Sequence, residues 1–270
     1  MKVWFTGALV ACLSGGAAAA CLELQGELRQ GGLIWGQAPA GTAVLLDGEA
    51  LDVLADGTFI AGFSRDAGAS AQLQVGECRQ ALAVVSREYN IQRVEGVPQR
   101  TVTPPPEQLA RIARERELVN TAKAQRLQRP DLLAGVLAGF QWPVEGRISG
   151  VYGSQRVYNG QPGSPHYGVD VAVPTGTIVR APAAGVVTLA ESDLFYSGGT
   201  IILDHGYRLS SSFLHLSKVS VNVGDQIALG DVIGEVGATG RATGPHLDWR
   251  MSWREARIDP QLLVPPMRLP

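Results

Sequence analysis

Turn-forming residues divide this chain so finely that few stretches have room for a helix. It holds 33 glycines and 16 prolines in 270 residues. Between them lie short apolar, β-branched runs, spaced as in sandwiches and partly open barrels. From Trp142 onward the candidate strands are "RISGVYG", "YGVDVAV", "TIVRAP", "GVVTLAE", "GTIILDH", "LSSSFLHL", "DVIGEVG" and "HLDWRMSW". Residues 21–86 repeat the pattern in miniature, with "LIWG", "AVLL", "TFIAGF", "AQLQV" and "ALAVV" separated by turns at Asp47-Gly48 and Asp56-Gly57. The expected fold is therefore an all-β domain over 142–264, with antiparallel sheets forming a partly open barrel or sandwich. A small β-sandwich over 21–86 precedes it, and 265–270 form a tail.

Residues 87–141 read as a connector. "VTPPPEQ" ends any strand and places proline at a first helical turn. The stretch from Glu107 to about Gln128 then spaces Leu109, Ile112, Ala113, Val119, Ala122 and Leu127 as one moderately amphipathic helix. Residues 1–20 are of another kind. Lys2, an apolar run from Val3 to Leu13, and Ala18-Ala19-Ala20 form the pattern of a secretory leader cleaved after Ala20. The run is too short for a membrane span, so no transmembrane segment is expected after cleavage, and export is expected. Two cysteines, Cys21 and Cys78, would remain. A disulfide between them is favoured in an oxidising compartment. Lipid attachment at Cys21 is the competing reading, weakened because Ala18 stands where such signals usually carry leucine.

The formal charge of −2 argues against nucleic acid as a partner. No G-x-S-x-G elbow, phosphate-binding loop or H-E-x-x-H pair is present. "VGDQIALGDVIGEVG" has the glycine pattern of a lipoyl carrier but no lysine to modify. Chemistry therefore rests on four histidines, all in the C-terminal half: His166, His205, His215 and His246. In "PHYGVD", His166 and Asp170 would lie roughly 13 Å apart on an extended strand. They can meet only if the chain bends, and Gly168 is the residue expected to permit it. Alone, the pair reads more readily as a surface hydrogen bond than as a metal site, although imidazole plus carboxylate is an ordinary zinc ligand combination. In "SSFLHLS", strand alternation groups His215 with Ser211, Phe213 and Ser217. His205, beside a turn, reads as structural. In "HLDWRMSW", alternation puts His246, Asp248 and Arg250 on one face and Leu247, Trp249 and Met251 on the other.

Taken in order, "GVYGSQR", "PHYGVDVAVPTGTIVRAPAAGVV", "GGTIILDHG", "FLHLS", "VGDQIALGDVIGEVGATG" and "TGPHLDW" resemble the lysostaphin or LytM-type zinc peptidases over residues 145–260. The resemblance implies an endopeptidase that cleaves the peptide cross-links of bacterial peptidoglycan with a metal-activated water. It implies His166 and Asp170 as metal ligands, and His215 and His246 as catalytic residues acting as general base and oxyanion donor. The third ligand, the second histidine of the family's H-x-H, falls at Asp248.

Aspartate also ligates zinc, so the departure need not empty the site. Two carboxylates would remove the net positive charge of the zinc unit, and a harder ligand set would admit other divalent ions. The alternative is an inactive relative that binds the wall or regulates other hydrolases, with an activator or regulator protein as partner. Arg156 and Arg250 are candidates for orienting substrate, or members of ordinary surface ion pairs.

Overall fold

The computed structural model describes residues 20–95 and 106–267. The leader read over 1–20 and the proline run before Pro106 fall almost wholly outside them. No helix among the described residues is long and apolar enough to cross a membrane.

Residues 20–85 form two antiparallel sheets. One joins Leu24–Gly26, Leu33–Gln37 and Thr58–Gly62; the other joins Glu49–Ala50, Val44–Leu46, Ser70–Val75 and Cys78–Ala83. Leu33, Ile34, Phe59, Leu73 and Leu82 fill the space between, each contributing about 1.5–3 kcal/mol by burial. A Cys21–Cys78 disulfide ties the two ends, with the Cα atoms 5.7 Å apart.

The second part is organised on one long sheet. Its central order is Gln226–Ile227, Gly185–Leu194, Gly198–Asp204, Leu209–Val219, Leu247–Trp253, Gly168–Ala172 and Arg147–Gly150. The face of Leu247, Trp249 and Met251 is fully buried with Phe213, Val169 and Val171, as alternation requires. The opposite face carries the polar residues.

These two parts share one core. Gly62 packs on Trp253 and Ile258, close enough that a Cβ would overlap the Ile258 side chain. Arg87 donates to the buried Asp259 carboxylate at 2.8 Å, and Arg65 Nε donates to the Gly153 carbonyl at 2.9 Å. Ile91–Val94, expected to be connector, is a strand paired in parallel with Gln155–Tyr158.

The connector helix departs from its expected span in an instructive way. A 3-10 turn, Pro106–Gln108, leads into helix α1, Leu109–Lys123. A second helix, α2, Pro130–Leu137, then buries Leu132, Leu133 and Val136. The break is explained by Pro130. The residue before a proline is pushed out of the helical region, and Arg129 sits at φ −121°, ψ 88°. Proline at the first turn followed by Asp131 is a helix-start signal that periodicity alone does not carry.

Helix α1 lies on the polar face of the long sheet. Val119 and Ala122 pack against Leu189, Leu194 and Ile202. Ile202 is opposite Ser212, which is opposite Arg250, and cross-strand partners share a face. Glu115 Oε2 accepts from the Phe195 N–H at 2.8 Å, which fixes the helix against the strand end.

Candidate functional site

Register places the two aspartates together. Asp170 on the Gly168–Ala172 strand is directly opposite Asp248 on the Leu247–Trp253 strand. Two carboxylates in such a position repel unless a cation lies between or beside them. Glycines make the space: a Cβ on Gly150 would overlap Asp170 Oδ2, and one on Gly168 would collide with Asp248 Oδ1, Arg250 Cγ and the Trp249 carbonyl.

His166 precedes the strand and curves back to it. The turn is held by backbone bonds, Gly153 N–H to the His166 carbonyl at 2.7 Å and His166 N–H to the Ser154 carbonyl at 2.8 Å. Gly168 is not the bend. It has no left-handed φ, and its missing side chain serves close approach. The outcome is His166 Nε2 at 3.1 Å from Asp170 Oδ1. The two are close but not aligned as a hydrogen bond, and both atoms are buried without a hydrogen-bond partner. Orphaned buried atoms of this kind are costly unless something bonds them. One ligand atom each from His166, Asp170 and Asp248 lies within 4.8 Å of the others. An imidazole nitrogen and carboxylate oxygens converging on one point fit a divalent cation with bonds near 2.0–2.2 Å.

Asp248 has a second attachment. Arg250 Nε lies 3.0 Å from each of its carboxylate oxygens, and Arg250 Nη2 is 2.5 Å from Oδ2. Burial raises the Asp248 pKa, but the Arg250 charge and hydrogen bonds more than offset it and hold the carboxyl below its usual range. A carboxylate offers about four lone-pair sites, so this fork leaves capacity for a metal. Of the two arginines singled out from the sequence, Arg250 joins the site. Arg156 is exposed and bonds Gln92 at 3.3 Å in the parallel pair.

His215 reaches the site by breaking the rule that was used to place it. Strict alternation would send its ring to the core side with Phe213. Instead its φ is +65°, in the left-handed region that costs a non-glycine residue about 1 kcal/mol or more, and the strand register shifts just beyond it. The ring consequently lies against His246, with centroids 4.8 Å apart. His215 Nδ1 contacts the Thr239 carbonyl at 2.8 Å, and His246 Nδ1 the Gly244 carbonyl at 2.8 Å. A carbonyl only accepts, so each Nδ1 carries a proton and Nε2 is the ring nitrogen left to act elsewhere. For His246, that nitrogen is 3.9 Å from Asp170 Oδ1. Burial lowers the His215 pKa against the opposing pull of its Thr239 bond, which favours the neutral form near pH 7.

His205 takes no part. It is fully buried between the Ala184 carbonyl and Ser211 Oγ, at 2.8 and 2.9 Å, and burial depresses its pKa from 6.5 to about 4. Its neighbour Asp204 is raised by burial from 3.8 to about 6. The signs oppose. His205 contributes stability that is intact above pH 6.5 and lost as pH falls toward 4. The Asp204 contribution is full below pH 3.8 and lost as pH rises through 6. Each is worth on the order of 3 kcal/mol across its window, so together they nearly cancel. Asp204→Asn removes one side of the balance. Denaturant melts of this variant should show stability falling by roughly 3 kcal/mol between pH 6.5 and 4 relative to wild type; parallel pH profiles would reject the compensation.

Residues 164–260 match the family model described as peptidase family M23. Over most of its length the chain is similar to a Pseudomonas aeruginosa crystal structure described by that same family, at 30% identity over 87% of this chain and 94% of the other, with a TM-score of 0.66. It is 40% identical over 88 residues to the peptidoglycan DD-endopeptidase ShyA of Vibrio cholerae, covering 33% of this chain and 20% of ShyA. Over 100 residues it is 42% identical to the DD-carboxypeptidase/endopeptidase Mpg of Neisseria meningitidis, covering 37% of this chain and 22% of Mpg. The chain thus matches about a fifth of the length of these curated relatives.

Proposed function

Since the chain belongs to peptidase family M23, we propose that it is a working metalloendopeptidase that cuts peptide cross-links of bacterial peptidoglycan in a Gram-negative periplasm. The observation that carries this reading is the pair of orphaned buried atoms, His166 Nε2 and Asp170 Oδ1, facing one another beside Asp248. A chain that had abandoned the chemistry would have no reason to keep them unsatisfied.

His166, Asp170 and Asp248 would hold the metal, with zinc the first choice and other divalent ions competing because two donors are carboxylates. When bound, the ion supplies a Lewis acid and an acidified water. The chain's own residues do the rest. With Nδ1 of each ring bonded to a carbonyl, Nε2 of His246 or His215 is the atom that can take a proton and return it to the leaving amine. Once protonated, the other can donate to a developing oxyanion. Arg250 corrects the expectation drawn from charge alone. Its guanidinium, bonded to Asp248, returns the two-carboxylate unit to the net charge that a His, Asp, His set would have.

The test is digestion of purified peptidoglycan by the chain from Cys21 onward, with and without chelator, followed by mass spectrometry of the soluble fragments. Chelator-sensitive release of uncross-linked peptides is expected. No release after zinc or manganese is added back would favour a wall-binding or regulatory protein instead.

A further inference from the structure

The polar face of the sheet does not end at Asp248. Two pleats further along the same strand, the buried Ser252 hydroxyl receives two cations at once, Lys123 Nζ at 3.2 Å from the end of α1 and Arg257 Nη1 at 2.9 Å from the neighbouring strand. Among the described residues, neither Lys123 nor Arg257 has a carboxylate within ion-pair distance. Arg250 stands between them and the metal-ligand group, a third of its side chain open to solvent and its charge already shared with Asp248. Ser212, directly opposite Arg250 and 3% exposed, has a buried hydroxyl with no hydrogen-bond partner.

Three cations gathered with one carboxylate is an unfavourable arrangement. Burial and the nearby Arg257 and Arg250 charges push Lys123 well below the usual lysine range, and burial and Arg250 also lower Arg257. An anion would relieve the repulsion. Ser252 Oγ, already accepting from two donors, has its own hydrogen free to give, and Ser212 offers another. Fork-shaped guanidinium, ammonium and hydroxyl donors grouped on one sheet face are the recognition set for a carboxylate.

We infer that Lys123, Arg257, Ser252 and Ser212 form a subsite for a free carboxylate of the peptide substrate. This rests on the peptidase reading above. Along the strand, positions 250 and 252 lie roughly 7 and 13 Å from position 248. An extended peptide advances about 3.3–3.6 Å per residue, so the carboxylate belongs two to four residues from the bond cut. The connector helix, by delivering Lys123, becomes part of substrate selection.

The experiment uses the full mature chain and a synthetic cross-linked stem peptide made twice, with its terminal carboxyl free or as the amide. Dissociation constants come from calorimetry and kcat/KM from chromatography. Wild type should favour the free acid at least tenfold, and the preference should shrink with added salt. Lys123→Met and Arg257→Met should each reduce the acid-to-amide ratio to below threefold, while Lys123→Arg should retain most of it. A wild-type ratio near one, or variants that keep the full ratio, would overturn the subsite. The binding ratio is readable even if neither peptide is cut. Absence of cleavage would therefore count against the peptidase reading, and the subsite would still stand or fall on binding.

Discussion

Asp248→His, which restores the family's usual third ligand, is expected to destabilise the metal-free protein by about 2–3 kcal/mol. The reason is Arg250. Its guanidinium makes a forked contact with Asp248, whose side chain is only 3% exposed. Removing one partner of a buried pair costs about 3–5 kcal/mol, because the other charge is stranded. The lower figure applies here because a third of the Arg250 side chain reaches solvent and can be partly rehydrated. Arg250→Met should be destabilising too, now stranding the carboxylate. Asp248→His/Arg250→Met should recover most of the loss, with a coupling energy on the order of 2 kcal/mol. Denaturant titrations of the four proteins in chelator measure this, and simple additivity would show that the pair is incidental. Zinc titration then completes the cycle: the double variant should bind at least as tightly as wild type. Aspartate at 248 and arginine at 250 form one unit, so exchanging the first alone does not convert this site to the common one.

The largest effect on rate is expected at the two histidines. His215→Ala and His246→Ala should each lower kcat by about 10²–10⁴-fold, the usual contribution of a positioned acid or base, with metal binding retained. His215→Gly separates catalysis from folding. Glycine accepts φ +65° without the strain that histidine bears there, offsetting the lost Thr239 bond and the lost packing. Its melting curve should lie close to wild type while peptidoglycan hydrolysis falls at least a hundredfold. Hydrolysis at the wild-type rate in any of these variants would remove that histidine from the mechanism.

The contrast between what was legible in the sequence and what was not follows from the range of the interactions. Alternation along "HLDWRMSW" is a local property, and by itself it puts Asp248 and Arg250 on one face and Trp249 in the core. The histidine and aspartate spacing in "PHYGVD" likewise required a bend. Gly168, however, was given the wrong task, since crowding from Trp249, Arg250 and Asp248 is a cross-strand matter that spacing within one strand does not reveal. His215 was misplaced by the same alternation that succeeded elsewhere. A single left-handed residue inverts the face, and nothing in "FLHLS" announces it. The pairing of Ile91–Val94 with Gln155–Tyr158 and the meeting of Lys123 with Ser252 join residues far apart in the chain. Neither leaves a periodic trace.

The shared core makes the two parts of the chain depend on one another. Residues 21–85 close through antiparallel pairings of their own strands and one cross-link with a sequence separation of 57. Their surface meets the later half at Gly62, which packs on Trp253 and Ile258, and at the Gly31 carbonyl, which accepts from the Asp259 N–H. The long sheet must bring Arg147–Gly150 alongside Gly168–Ala172 and that strand alongside Leu247–Trp253. Trp253 ends one of those strands, so the N-terminal part covers apolar surface that the long sheet would otherwise expose. Loss of that part would show first as poor yield and aggregation of the remainder, before any question of activity arises.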